Sequence, residues 1–184
     1  MSFISNFKLR LAANQVWAGD VIAYPTEAVY GLGCDPLNEN AVLRLLALKQ
    51  RPVEKGLILI ASEFRQVEPF LDYDQQILDR VLPTWPGAVT WIIPVQAWVP
   101  KWLTGAHQSL AVRVTDHPLA KALCEQLHSP LVSTSANPSN KKPARNALQV
   151  QQYFAGQVRV VNGATGGNKN TSAIYDARTG KCLR

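Results

Sequence analysis

Short unbroken apolar runs alternate along this 184-residue chain with stretches whose apolar positions recur every three or four residues, which predicts strands interleaved with amphipathic helices. Val21 to Tyr24 reads as a buried strand that breaks at Pro25, after which a loop holds Thr26 and Glu27. Asn38 is placed to cap a helix through Ala41, Val42, Leu45, Leu46 and Leu48, which delivers Lys49 and Arg51 at its end, where Pro52 stops it. The chain returns through Leu57 to Ile60. This strand, helix, strand unit leaves polar residues at its connections, where sites form in α/β folds. The same pattern predicts strands over 89–93, 109–115, 158–161 and 172–176, a strand leading into Ser133, and helices over 74–81, from Pro118 through Leu127, and over 147–154. Ser5 or Asn6 can cap an N-terminal helix with apolar positions Phe7, Leu11 and Val16, which Gly19 ends. Trp98, Pro100 and Trp102 suggest a loop packed by its own aromatics, with the tryptophans in the core rather than forming a base-stacking platform.

Length and a hydrophobic fraction of 47% allow one domain, residues 1–184, with a large core. No apolar run approaches the ~20 residues of a membrane helix. Met1 to Asn6 lacks the charged start and apolar block of a signal peptide, so a cytoplasmic location without membrane partners is expected. Cys34, Cys124 and Cys182 are too far apart for a zinc site or a disulfide framework. Charge changes the picture more. From Asn140 onward eight cations face only Asp176, so this quarter carries +7 of the net +6 and the first 139 residues sum to −1. Such asymmetry suggests a surface or cleft for phosphates, with a solvated basic face as the equal alternative.

Arg113 is the anomaly among the strands, because apolar neighbours on both sides would bury its charge. A buried guanidinium needs an anionic partner, and its planar fork favours a ligand carboxylate over an internal salt bridge. Ser133, Thr134, Ser135 and Asn137 bring four small polar side chains to a strand end, enough to hold phosphate or a hydrated cation. Gly163 to Lys169 is not a phosphate-binding P-loop, since Asn168 and Asn170 flank the lysine where glycine and Ser or Thr are required. It reads as a loop over a pocket and a candidate lid. His117 reads as a cap or loop residue, and nothing in the spacing singles out His107 or His128.

These segments together resemble the YrdC family of threonylcarbamoyl-AMP synthases over nearly the whole chain. The elements that carry the resemblance are Tyr24 to Leu32, Lys49-Gln50-Arg51-Pro52, Ala111-Val112-Arg113, Thr134 to Asn137, and a late Ser172. The resemblance implies an α/β fold, a twisted mixed sheet with flanking helices around a large basic concave pocket. It implies that Lys49, Arg51, Ser135, Asn137 and Arg184 bind ATP, with Arg145 a further nucleotide contact, and that Thr26, Arg113 and Ser172 contact L-threonine. Lys49 and Arg51 then carry the catalytic charge. The implied reaction takes L-threonine, bicarbonate and ATP, with Mg2+ on the phosphates and not on protein side chains, to threonylcarbamoyl-adenylate. A tRNA threonylcarbamoyl-transfer complex would follow it. Ala28, Gly56 and Asn140 depart from the family's usual Thr, Pro and Gly. From its end at Arg184, the extra domain of longer relatives is not expected here.

Such a reaction needs no enzyme nucleophile, and no Ser-His-Asp or Cys-His arrangement is in sight. Glu27 reads as structural rather than as a base, because the ammonium of threonine can lose its proton to bicarbonate or solvent. Two alternatives remain: a non-catalytic module binding tRNA or double-stranded RNA, and nucleotidyl transfer with a different acyl donor such as carbamoyl phosphate.

Overall fold

The computed structural model describes residues 5–184, so Met1 to Ile4 of the stretch read as lacking a signal peptide lie outside the described residues. The elements in chain order are α1 (Asn6–Trp17), β1 (Ile22–Pro25), β2 (Tyr30–Gly33), α2 (Glu39–Lys49), β3 (Ile58–Ala61), α3 (Phe64–Val67), α4 (Gln75–Val81), β4 (Val89–Pro94), α5 (Lys101–Thr104), β5 (Ser109–Val114), α6 (Pro118–Leu127), β6 (Leu131–Ser135), α7 (Ala147–Phe154), β7 (Arg159–Val160) and β8 (Ala173–Asp176). The strands form one mixed sheet in the order β7-β1-β2-β6-β3-β5-β4-β8. β1 runs parallel to β7, β3 to β5 and β4 to β8, and the remaining neighbours are antiparallel.

Side-chain alternation along the strands decides where a site can lie. Ala23, Leu32, Leu59, Trp91, Leu110, Val112 and Val132 point to one face and pack with Val42, Leu45 and Leu46 of α2. Ile22, Tyr24, Ile60 and Leu131 point to the other, beneath Leu9, Ala13 and Val16 of α1 and Leu123 and Leu127 of α6. The two helices cover only part of that second face. Farther along the sheet the same parity brings up Ser109, Ala111 and Arg113 of β5, Ile92 of β4 and Ser133 and Ser135 of β6, which line a cavity instead of meeting a helix.

Local signals account for the helix starts. The side chains of Asn38, Asp74, His117 and Asn146 accept hydrogen bonds from Ala41, Ile77, Ala120 and Gln149 backbone amides. Three expectations need correction. Thr26 and Glu27 lie in a loop as expected, but the loop is short, and Tyr30 to Gly33, where no strand is expected, pairs with β1 as a hairpin strand. In α1 the buried positions are Leu9, Ala12, Ala13 and Val16, whereas Phe7 and Leu11 face outward. Trp98 is 52% exposed and lies against Phe70 rather than inside the core.

The two glycines of β2 hide that strand from its sequence pattern, and one of them, Gly33, makes it tight. A Cβ on Gly33 would stand 2.5 Å from Val132 O and 2.7 Å from the Tyr24 ring, both fixed in the sheet. Gly33→Ala should therefore cost at least ~2 kcal/mol, as overpacking against an immovable backbone does. The midpoint of urea unfolding measures it, and an unchanged midpoint would mean that β2 sits farther from β6.

Candidate active site

The uncovered part of the sheet encloses a cavity of about 520 Å³. Thr26, Arg51, Arg113, Ser135, Ser172 and Arg184, all expected in a site from the sequence, line it together. Three expected residues stand elsewhere. Arg145 lines an adjoining basin with Lys142, Lys169 and Arg184, and its Nη2 donates to Lys169 O at 2.9 Å. Lys49 and Asn137 lie behind the wall formed by Ser135.

Lys49 is buried at the end of α2, where its Nζ donates to the carbonyls of Ser135 and, at 2.9 Å, Asn137. The ammonium thus ties the end of α2 to the end of β6. Ser139 adds to the clasp by donating from its hydroxyl to Lys49 O and Gln50 O. Burial, aided by the neighbouring Arg51 charge, lowers the Lys49 pKa to about 8. Arg51 bridges to Gly56 O at 2.9 Å, which holds its guanidinium against the cavity wall. Asn137 spends its amide protons on Pro138 O and Lys141 O, shaping the turn that follows β6.

Arg113 is 7% exposed, and the internal carboxylate that the sequence reading ranked second is present. Its Nη2 lies 3.3 Å from Glu27 Oε2, while its Nε has no partner. Glu27 Oε1 accepts the Thr115 hydroxyl at 2.5 Å. The fork of Arg113 is therefore oriented from one side and unsatisfied on another. The Thr26 hydroxyl donates to Val29 O at 2.8 Å and the Ser172 and Thr90 hydroxyls bond at 2.9 Å, so each retains capacity for a ligand. Five buried side-chain atoms lack partners among the described residues, and four of them, on Glu27, Arg51, Thr104 and Arg113, belong to residues lining this one cavity. Native interiors leave few such atoms, and their concentration here marks a site shaped for a polar ligand.

Lys55, Thr104 and His107 also line the cavity and were not expected there. Lys55, four residues beyond Arg51, carried the most readable signal. Thr104 and His107 reach the wall only because the segment around α5 folds back against the turn at Gly56, where Leu57 N donates to Leu103 O. Two of the departures from the family pattern have backbone reasons. Gly56 has φ +61°, which proline's ring, fixed near about −65°, cannot adopt, and Asn140 has φ +65°, a conformation that Asn tolerates better than other side chains.

The loop after β7 is fastened beside this site. Gly163 bonds the Tyr30 hydroxyl through both its N–H and its carbonyl, Gly166 N donates to Thr26 O, and Asn168 N donates to Glu27 O. His117 completes the attachment: Ala120 N–H donates to Nδ1 and Nε2 lies 3.1 Å from Ala164 O, so the neutral ring with its proton on Nε2 satisfies both. Burial lowers the His117 pKa below 6.5, against the opposing pull of Ala164 O, Glu27 and Asp116. A folded-state pKa below the unfolded one contributes stability that is complete above pH 6.5 and is lost as pH falls through the folded value. His117→Ala should cost ~1 kcal/mol at pH 7.5, the worth of a helix cap. That deficit should shrink in acid, where the wild type loses its own cap, and urea unfolding at pH 7.5 and 5 reads both. A deficit that grows in acid would contradict the neutral ring.

Among the described residues no group of three His, Cys, Asp or Glu side chains could hold a metal ion, and Glu27 is the sole carboxylate among those lining the cavity. No helix of the described residues is long and apolar enough to cross a membrane.

The family described as Telomere recombination, which groups Sua5, YciO and YrdC, matches residues 14–184. A threonylcarbamoyl-AMP synthase of Pseudomonas savastanoi pv. phaseolicola is 54% identical over 183 residues, 98% of each chain, and one of Stutzerimonas stutzeri is 55% identical over the same share. Among solved structures, P. abyssi Sua5 complexed with L-threonine superposes with a TM-score of 0.87 at 33% identity, covering 95% of this chain and 52% of that one. This chain thus spans about half the length of that Sua5. E. coli YciO superposes at 0.84 with 24% identity, over 95% of this chain and 85% of its own, and speaks for the fold. With the match of the family model over residues 14–184 and relatives more than half identical over 98% of each chain, the chain belongs to the Sua5/YciO/YrdC family.

Proposed function

We propose that this chain is a threonylcarbamoyl-AMP synthase, a nucleotidyltransferase that joins L-threonine, bicarbonate or CO2, and ATP into threonylcarbamoyl-adenylate and pyrophosphate. The observation that carries the reading is Arg113, a nearly buried guanidinium with its Nε unpartnered, lining a cavity that Arg51 and Lys55 also line. A buried fork of this kind suits a carboxylate, and the outer cations suit phosphates. Threonine's carboxylate would meet Arg113, with Thr26 and Ser172 at its hydroxyl. The triphosphate would lie toward Arg51, Ser135 and Arg184, with Arg145 beyond. Lys49 and Asn137 would shape the wall that Ser135 presents.

The chemistry asks for position and charge, not for a nucleophile. The amine of threonine takes up CO2 as a carbamate, and a carbamate oxygen attacks the α-phosphorus of ATP in line with the departing pyrophosphate. Arg51, Lys55 and Arg184 offset the charge that grows on the leaving group. Among the described residues no carboxylate cluster could hold Mg2+, and that ion would arrive on the phosphates as part of the substrate. The apolar floor of Leu57, Ile58, Ile92 and Leu103 helps keep water from a carbamate and a mixed anhydride that water destroys. A transfer complex would then move the threonylcarbamoyl group to the adenine at position 37 of tRNAs reading ANN codons, in the cytoplasm.

Purified protein should release pyrophosphate from ATP only when L-threonine and bicarbonate are both present. Release that ignores threonine would overturn the reading. Carbamoyl phosphate should not replace bicarbonate. The exposed Lys142 and Lys169 around the second basin give the RNA-binding alternative its support, and salt-sensitive RNA affinity without ATP turnover would favour it.

A further inference from the structure

Carbamate formation requires the substrate ammonium to lose a proton, which the sequence reading leaves to bicarbonate or solvent and which the cations around the cavity cannot accept. At neutral pH threonine carries an ammonium with no lone pair to offer, and every basic side chain near the amino-acid end is already engaged or cationic. Both ring nitrogens of His117 are occupied, by Ala120 N–H and Ala164 O. Lys49 is held by two carbonyls, and His107 stands in an exposed position on the wall formed with Lys55 and Thr104. Glu27 remains.

Its two oxygens have different surroundings. Oε1 takes the Thr115 hydroxyl, an attachment sufficient for a structural part. Oε2 is buried, accepts no hydrogen bond and lies 3.3 Å from Arg113 Nη2. The backbone beneath is pinned at Thr26 O by Gly166 N and at Glu27 O by Asn168 N, so only the tip of the side chain has freedom. The residue is 94% buried by its 6% exposure, and it lines the same cavity as Arg113. An anion and a cation fixed side by side are the complement of a zwitterionic α-amino acid, whose ammonium and carboxylate are one carbon apart.

We infer that Glu27 is the subsite for the ammonium group of the amino-acid substrate and the acceptor of the proton it must lose, an assignment that rests on the adenylate-forming reading. With the substrate carboxylate on Arg113, a rotation of the Glu27 side chain would bring Oε2 out of its buried position beside Arg113 to the ammonium. One N–H bond breaks, its proton passes to Oε2 and the electron pair stays on nitrogen. That pair forms the N–C bond to CO2 while a C=O pair moves onto oxygen. The second proton leaves with the hydroxide freed when bicarbonate gives CO2, and together they make water. Threonine and bicarbonate thus yield carbamate, water and one proton on Glu27, which returns to solvent before the next turnover.

The test is calorimetric binding of L-threonine and of 3-hydroxybutanoate with the same configuration at its hydroxyl carbon, which keeps carboxylate and hydroxyl but has no amine. The wild type should prefer threonine at least 30-fold. Glu27→Gln, which keeps the shape and an acceptor for Thr115, should lose at least tenfold in threonine affinity while 3-hydroxybutanoate stays within threefold. Equal losses for both acids would make Glu27 a residue acting only through Arg113, and an unchanged preference would leave it structural. Either overturns the inference. If the variant does not fold, the wild type decides alone: equal affinity for the two acids, or binding of neither, overturns it. Pyrophosphate release is read separately, so a threonine preference that depends on Glu27 in a protein without ATP turnover would sink the adenylate reading and leave this subsite standing.

Discussion

Arg113→Ala is expected to abolish threonine-dependent pyrophosphate release and to destabilise the fold in the same step. The two side chains of the Arg113 and Glu27 pair are only 9% and 8% exposed, so removal of the guanidinium leaves a carboxylate in the interior with the Thr115 hydroxyl as its remaining partner. Breaking a buried pair by deleting one member costs ~3–5 kcal/mol, because the surviving charge loses its compensation without regaining water. That loss alone could end activity and would say nothing about substrate. The double variant Arg113→Met with Glu27→Gln separates the two effects. Neutral side chains of similar volume leave no bare charge, so urea unfolding should recover most of the deficit. Activity should not recover: kcat/KM for threonine should stay at least ~100-fold below wild type, as expected when the carboxylate contact of Arg113 and the ammonium subsite proposed at Glu27 are both gone. A stable double variant within fivefold of wild type would place the amino-acid carboxylate elsewhere.

The same pair shows what the sequence could and could not reveal. A cation among Ala111, Val112 and Val114 announces that it must be paired, and strand parity says that it shares a face with Ser109 and Ala111. Neither identifies the partner, which comes from the turn between β1 and β2. Caps and apolar periods made α2, α4, α6, α7 and most strands readable, since those signals are local. α1 was read on the wrong face because Ala12 and Ala13 bury well but contribute little to a hydrophobic pattern. β2 is hidden because Gly31 and Gly33 lack strand propensity, and Gly33 is there for close approach to β1 and β6. Of the site, the charged and hydroxyl residues were legible as chemistry. The division of labour among them was not: Lys49 and Arg51 are two residues apart, yet one faces the cavity and the other turns into backbone carbonyls.

That division makes Lys49 the source of two opposite pH effects. Its folded-state pKa of about 8 lies below the ordinary lysine value of 10.5, so between these values the unfolded chain holds a proton that the folded one has released. Stability rises with pH wherever the unfolded state binds more protons, so the Lys49 contribution should increase from about pH 8 to 10.5, by ~3 kcal/mol if the whole shift is expressed. Lys49→Met lacks the titration. The difference in unfolding free energy between the two proteins, taken at pH 7.5 and again near 10, should move in favour of the wild type. Activity should move the other way. At pH 7.5 the methionine variant should release pyrophosphate at least ~50-fold more slowly, because the segment carrying Ser135 and Asn137 loses its tie to α2 and the wall that meets the phosphates is no longer held in place. In the wild type the KM for ATP should climb above pH 8 as the ammonium discharges, while the fold itself becomes firmer. Parallel pH slopes of stability in the two proteins would mean that this lysine stays charged in the folded state, and the buried clasp would then have to be replaced by a solvated lysine facing the phosphates.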